Sequence, residues 1–441
     1  MGQNPGAGFT SRTIVSIYRR KKGLVFVNRF PASLITLKNR ILEELQPRFV
    51  QIEATSLQNT ARILDAYRKH QVSDYDFRQT TGYGYGDQGR DKLAAVWADI
   101  FAAEAALVRP QFASGTHALA TALFGVLRPG DELLALTGTP YDTLCTVIGH
   151  PEPVPGCLKE FGVTYRETPF SQALSPESIG AALRRETRLV LIQRSCGYSL
   201  RQTLSIAHIE AICLAIKAVR PDCVVMVDNC YGEFTETSEP TAVGADLAVG
   251  SLIKNPGGGI APTGAYIAGR ADLIDLAASR LTAPGIGSEV GSCQDGYRLY
   301  YQGLFLAPHT TSQASKSALF AAAFFAALGY NVHPSVDASR YDIIQAIELG
   351  SADKLTAFCR GLQKYSPVDS HLKPIPAPMP GYPDPVVMAG GTFVQGSSIE
   401  LSADGPLREP YAVYLQGGLT FEHSLLALLG AATEMGQSAR D

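Results

Sequence analysis

The chain has one tryptophan, five methionines and little charge: 18% of its 441 residues are Asp, Glu, Lys or Arg, and the net charge is -3. A nucleic-acid binder needs a basic excess, and a disordered chain needs more polarity than a 46% hydrophobic content leaves. A globular protein that handles a small, near-neutral substrate remains. Long apolar runs are missing too. The most apolar window, "SALFAAAFFAAL" at residues 317–328, has twelve residues where a membrane-spanning helix takes about 20. It is expected as a buried helix, without membrane contact. Cysteine occurs at 145, 157, 196, 213, 223, 230, 293 and 359, never as C-x-x-C and never densely. That excludes a disulfide scaffold and points to reduced thiols in the core. The eight histidines form no H-E-x-x-H and no cluster with carboxylates, so no metal site is expected.

Acids are absent before Glu43, while Arg12, Arg19, Arg20, Lys21, Lys22, Arg29, Lys38 and Arg40 precede it. That composition is like an organelle transit peptide, with a basic, partly ordered arm as the other reading. No secretory apolar core is visible, so a cytoplasmic protein is expected, with organelle targeting left open. At roughly 150 residues per domain, the length allows two or three units. We expect an N-terminal arm with helices over residues 1–65, a large domain over 66–320 and a small domain over 321–441.

In the middle of the chain, "RDKLAAVWADIFAAEAAL" at residues 90–107 predicts an amphipathic helix. The helical "THALATALFGVL" follows, then a stop at Pro129 and Gly130 and a short strand in "DELLAL". The alternation repeats through "RLVLIQRS", "SIAHIEAICLAIKAV", "CVVMVDNC" and "LAVGSLIKN". Short apolar strands between helices predict an α/β fold, its parallel, doubly wound sheet covered on both faces. Right-handed crossovers gather the strand ends along one edge, where ligands bind in such folds. "GGGIAPTGAYIAG" predicts a glycine-rich turn and a strand, and residues 310–328 a long helix. The proline-rich "KPIPAPMPGYPDPVVM" at 373–388 lacks too many backbone donors to be anything but irregular. Beyond it, "SIELSAD", "YAVYLQGG" and "FEHSLLALLGAATEM" predict strands and a helix of a smaller α+β unit, without internal repeats.

Gly84, Gly86 and Gly89 match the dinucleotide pattern G-x-G-x-x-G, but the preceding "YDFRQTTGY" is polar and turn-like rather than a buried strand. These glycines read better as hinges that let Tyr83 and Tyr85 project. Ser251 and Lys254 match S-x-x-K, the nucleophile and base spacing of penicillin-binding hydrolases, where a helical turn sets both groups side by side. Neither S-D-N nor K-T-G follows, so a serine hydrolase using Ser251 stands as the alternative. His117 suits either a helix start near a ligand or a structural hydrogen bond.

Three strand ends carry a stronger pattern. Asp228 follows the buried "VVMV", where an ionised carboxylate is costly without a cationic partner. Ser114, Gly115 and Thr116 stand where a strand gives way to a helix, and the hydroxyls and free N–H groups there suit a phosphate. Lys254 stands among apolar and glycine residues, where a lysine can lose its proton and attack an aldehyde. Pyridoxal phosphate answers all three with a protonated ring nitrogen, a phosphate and an aldehyde. An aspartate cap, a helix cap and a solvated lysine would explain the pieces singly. Their order is more specific, with Lys254 placed 26 residues after Asp228.

These residues resemble the type I pyridoxal-phosphate enzymes of cysteine and methionine metabolism, and more closely the group of methionine gamma-lyase-like or aluminium-resistance proteins. "GYGYGDQGRDKL", "LVRPQFASGTHALATALFG", "RPGDELLALTGTPYDTL", "LIQRSCGYS", "VDNCYGEF", "GSLIKNPGGGIAPTGAYIAG" and "REPYAVYLQGGLTFEHS" carry the likeness, from about residue 75 onward. It implies a type I transferase-like large domain and a smaller α+β C-terminal domain. Lys254 would carry the cofactor as a Schiff base and move protons, and Asp228 would pair with the ring nitrogen. Tyr141 would stack on the ring, while Ser114, Gly115, Thr116 and Ser251 hold the phosphate. The glycines after Lys254 would let the backbone clear the ring. Tyr83 and Tyr85 would reach a neighbouring subunit's phosphate, making a dimer or tetramer with shared sites. Two positions depart from the pattern. Tyr414 stands where the wider family has its carboxylate-binding arginine, leaving Arg408 as the nearest substitute, and Cys196 replaces an arginine expected in "QRSRGY". Arg194 and Ser195 stay near the cofactor's phenolic oxygen or the substrate. The implied chemistry is elimination of a thiol from the β or γ carbon of an amino acid. A transaminase or aldolase-like enzyme is the nearest rival, and a protein that keeps the cofactor without turnover a further one.

Overall fold

The computed structural model describes residues 29–170, 175–379, 382 and 384–437. Most of the basic segment read as a transit peptide or arm lies outside the described residues. The described chain opens with helices α1 (Ala32–Lys69) and α2 (Gln88–Ile100), strand β1 (Ala105–Arg109) and α3 (Gly115–Val126). There follow β2 (Glu132–Ala135), α4 (Asp142–Ile148), β3 (Thr164–Glu167), α5 (Pro176–Ala182), β4 (Thr187–Gln193), α6 (Ile206–Val219) and β5 (Val224–Asp228). Next come β6 (Leu247–Ser251), β7 (Ala265–Gly269), α7 (Ala271–Leu281) and α8 (Arg298–Ala327). The last elements are β8 (Asn331–His333), β9 (Ile344–Glu348), α9 (Ala352–Gln363), β10 (Val386–Ala389), β11 (Ser402–Pro406), β12 (Ala412–Gln416) and α10 (Phe421–Glu434).

Seven strands make one sheet in the order β1-β7-β6-β5-β4-β2-β3, and only β7 runs against its neighbours. The mostly parallel sheet follows from strands that are apolar on both faces. In β4, Leu189 and Leu191 pack into the core on one side while Val190 and Ile192 pack into the core on the other. Val224 and Met226 against Val225 and Val227 repeat the division in β5. Each such buried side chain contributes about 1.5–3 kcal/mol, so the central strands anchor the sheet. A second, antiparallel sheet has the order β10-β11-β12-β9-β8.

The helix expected over residues 90–107 ends early. It stops at Ile100, Ala102 turns through the left-handed region with φ 50°, and β1 begins at Ala105. Ala105–Arg109 pairs in register with β7, and that long-range pairing outweighs the helix preference of the alanines. The apolar window at 317–328 lies in α8, where Phe320 and Phe324 pack against Leu34, Leu37, Ile41 and Phe49 of α1. No helix among the described residues is long and apolar enough to cross a membrane. Helix α8 runs straight through the 320/321 division expected between domains, and α1 through that at 65/66. All eight cysteines are free thiols, and seven are buried.

Candidate active site

Because β4, β5 and β6 are parallel, their C-terminal ends meet at one edge. Gln193 and Asp228 pair in register there, and β6 ends at Ser251. The edge opens on a cleft of about 620 Å³ whose lining includes Tyr141, Gln193, Ser195, Asp228, Tyr231 and Lys254. Asp228 is buried, and its Oδ1 accepts from the Cys230 N–H at 3.1 Å. Lys254 sits just past β6 with its Nζ 4.0 Å from the centre of the Tyr231 ring, a cation–π contact. Burial works against the Lys254 ammonium, but Cys230, Tyr231, Asp228 and Tyr141 outweigh it and hold the group well above its ordinary range. Its apolar sequence neighbours suggested a readily lost proton; in the fold the amine is also surrounded by Cys230, Tyr231, Asp228 and Tyr141, which favour the ammonium.

Tyr141 precedes α4; its N–H donates to Gln193 Oε1 at 2.9 Å and its hydroxyl meets Thr116 Oγ1 at 2.8 Å. Burial, then the nearby Asp228, pushes its phenol upward, so it stays neutral. Ser114 caps α3 by accepting from the His117 N–H, and His117 Nδ1 accepts from the Ala113 N–H, a structural role. A Cβ added to Gly115 would lie 3.1 Å from Ser251 Cβ, so the start of α3 and the end of β6 meet with only glycine between them. Ser114, Gly115, Thr116 and Ser251 therefore converge beside Tyr141.

The S-x-x-K motif is not on a helix. Ser251 closes a strand, its Oγ accepts from the Ile253 N–H, and Lys254 has an extended backbone (φ -108°, ψ -151°). The side-by-side arrangement of the penicillin-binding hydrolases is absent. Nor do the following glycines face the cleft. A Cβ on Gly257 would fall 1.7 Å from the Leu252 carbonyl oxygen, and one on Gly258 2.4 Å from that of Gly303 in α8. They let the lysine turn fold on itself and press against α8.

Arg194 does not reach the substrate space. Its side chain is fully buried behind the strand and donates to Asn229 Oδ1, the carbonyls of Leu204 and Gly232, and Glu236 Oε2 at 2.7 Å. It fastens the loop that carries Cys230 and Tyr231. Ser195 and Arg408 do line the cleft; Arg408 pairs with Asp384 at 3.3 Å near the mouth. Cys196 and Tyr414, the two departures, line it as well. Tyr83 and Tyr85 lie against each other as a tilted pair with centroids 5.3 Å apart, exposed and outside the cleft of their own chain. Among the lining residues that were not anticipated are Tyr231, Tyr198, Arg201 and Asp404. Asp404 had a legible signal, a carboxylate in the uncharged strand "SADGP". The left-handed backbone of Tyr231, φ 72°, had none.

A family model described as methionine gamma-lyase matches residues 34–436. The chain belongs to the methionine gamma-lyase family. A carbon-sulfur lyase involved in aluminium resistance from Clostridium novyi NT superposes with a TM-score of 0.88 at 44% identity, over 97% of this chain and 99% of that one. A crystal structure named as a candidate cystathionine beta-lyase involved in aluminium resistance, from Listeria monocytogenes, gives 0.88 at 47% identity over 91% and 99%. The uncharacterized protein YnbB of Bacillus subtilis (strain 168) is 49% identical over 390 residues, 88% of this chain and 93% of that protein. The family implies pyridoxal phosphate, and the residues present fit it. A buried carboxylate at the cleft floor suits a cationic ring nitrogen, a primary amine stands opposite, and a glycine-lined helix start adjoins both.

Proposed function

We propose that this member of the methionine gamma-lyase family is a pyridoxal-phosphate-dependent carbon–sulfur lyase that, consuming one water, converts an amino acid into a thiol, a keto acid and ammonia. The convergence of Lys254, Asp228 and Tyr141 on one cleft carries the reading. Lys254 would hold the cofactor's aldehyde carbon, Tyr141 would lie against its ring, and Ser195 would stand near its phenolic oxygen. Ser114, Gly115, Thr116 and Ser251 would bind its phosphate. Bound pyridoxal phosphate supplies a sink for the electron pair left at the substrate's α carbon. Asp228 would keep a proton on the ring nitrogen. A cationic ring there also takes up the counter-charge that holds Lys254 as an ammonium, freeing Nζ to accept the α proton and to return a proton to the departing sulfur. Arg408, at the mouth, would meet the substrate carboxylate in place of the arginine that Tyr414 displaces. The exposed Tyr83 and Tyr85 support a homo-oligomer in which each subunit completes its neighbour's phosphate site.

The purified protein, reconstituted with pyridoxal phosphate, should show the visible absorption of the lysine-bound cofactor and release keto acid from a sulfur amino acid. Lys254→Ala should lose both. No visible band at saturating cofactor would refute the cofactor reading, and a band without keto acid from any sulfur amino acid would refute the lyase reading alone.

A further inference from the structure

The elimination gives no part to Tyr231, an aromatic of the cleft wall in the loop after β5. Its backbone lies in the left-handed region at φ 72°, which a bulky residue enters at a cost and keeps only where its surroundings hold it. The ties are in place. Asn255, the residue after Lys254, is fully buried, and its Nδ2 donates to the carbonyls of Tyr231 and Glu233 at 3.0 Å each. Arg194 Nη1 donates to the carbonyl of Gly232 at 2.9 Å. The Tyr231 side chain packs against two apolar clusters, one that includes Ile344, Ala346 and Tyr414 of the second sheet and one of Ala314, Ile343 and Ile399. What these ties hold in place is a ring whose centre lies 4.0 Å from Lys254 Nζ. The loop and the lysine turn are thus joined twice, through the Asn255 amide and through the ring face.

A ring quadrupole attracts a cation without carrying a charge of its own, so a ligand that neutralises a carboxylate leaves that attraction intact. The titratable groups that face Nζ are Asp228, Cys230, Tyr231, Glu233, Tyr141 and Tyr382. Burial pushes the thiol and the three phenols up, so they are uncharged near neutral pH, and it pushes Glu233 up to about 8. The other acidic and basic side chains on the cleft are Asp142, Asp404, Arg201 and Arg408. Once Asp228 is engaged by a cationic ring nitrogen, the Tyr231 face still favours a proton on Nζ. We propose that Tyr231 is a positioning residue for Lys254: its ring seats the lysine as an ammonium whenever Nζ is not bonded to the cofactor, and so fixes the place from which that proton is passed on. This rests on the lyase reading for the proton's origin at the α carbon and its destination at the sulfur, but not for the seat itself.

The test starts from the cofactor-free full-length chain and cyanate, a small reagent that carbamylates only an uncharged amine, with the product at Lys254 followed by mass spectrometry across neutral and mildly alkaline pH. Tyr231→Phe keeps the ring and should match wild type. Fluorinated phenylalanines at position 231 drain the ring face while keeping its shape, so carbamylation at a given pH should quicken with each added fluorine. Tyr231→Leu should react about 2- to 30-fold faster, the range of one cation–π contact. Equal rates along the fluorinated series would overturn the proposal. So would a rise in Tyr231→Leu alone, because the ring would then only screen the amine from the reagent. The fluorinated series decides the matter if the leucine variant does not fold. In the loaded enzyme the same series should lower kcat with KM little changed and move the acid limb of the kcat profile to lower pH, since a less favoured ammonium gives up its proton sooner. An acid limb that stays in place would overturn the part in proton transfer. If no sulfur amino acid yields a keto acid, the lyase reading fails, and the carbamylation series still decides the seat.

Discussion

Glu233, in the loop after β5, lies outside the cleft yet sets part of the protein's response to pH. Its Oε1 accepts from the Tyr266 hydroxyl at 2.9 Å and its Oε2 is buried without a partner. Burial foremost, with Glu239 adding to it, pushes the carboxyl from its ordinary 4.5 up to about 8. The folded chain thus keeps a proton that the unfolded chain gives up. That contribution is fully present below about pH 4.5 and is lost as pH rises through about 8. Glu233→Gln should flatten the fall in melting temperature between those limits, and a slope equal to the parent's in thermal scans would count against it. Arg194 offers a second test. Arg194→Ala strips the cation from Glu236 and leaves Glu239 with Arg62 alone, so chemical denaturation should show a loss of about 3–5 kcal/mol; a loss under about 1 kcal/mol would contradict its bracing role. Charge after an apolar strand picked out Asp228, and the family resemblance brought in Arg194. Side-chain alternation separates them: Gln193 and Ser195 face the cleft, so Arg194 between them faces away.

Among the elements, strands β4, β5 and β6 were legible because a run apolar on both faces has few other homes than a covered parallel sheet. The end of α2 was not, because the partner that draws Ala105–Arg109 into a strand lies far along the chain in β7. In the lysine turn, the glycines were legible as special but not for their purpose. Their neighbours are Leu252 and α8 rather than a ring, and that packing exists only in three dimensions. Gly257→Ala drives a methyl group into the Leu252 carbonyl, so the turn must shift and carry Lys254 with it. We expect about 1–3 kcal/mol of destabilisation together with weaker cofactor binding, read by spectral titration. Unchanged affinity would mean that the turn absorbs the methyl locally.

For the whole molecule, the two-unit plan was legible from the break in pattern after β7, whereas the joint between the units was not. A cut at residue 320 falls inside α8, because a helix serving two cores shows no change of composition at the border. If each site borrows Tyr83 and Tyr85 from a neighbour, a mixture of Lys254→Ala chains and chains with both tyrosines changed to alanine should regain activity. Each parent alone is then inactive, and the mixed oligomer holds some sites with every group intact. Failure of subunit-exchanged mixtures to recover activity would locate both tyrosines' role within their own chain.

Helix α8 touches the lysine turn through Gly303 and the second sheet through β8 and β9. At 30 residues it is a rod about 45 Å long. Mechanically, the floor and the roof of the cleft are bolted to one beam. Because one helix packs on both, the base of Lys254 and the second sheet are not free to shift independently of each other.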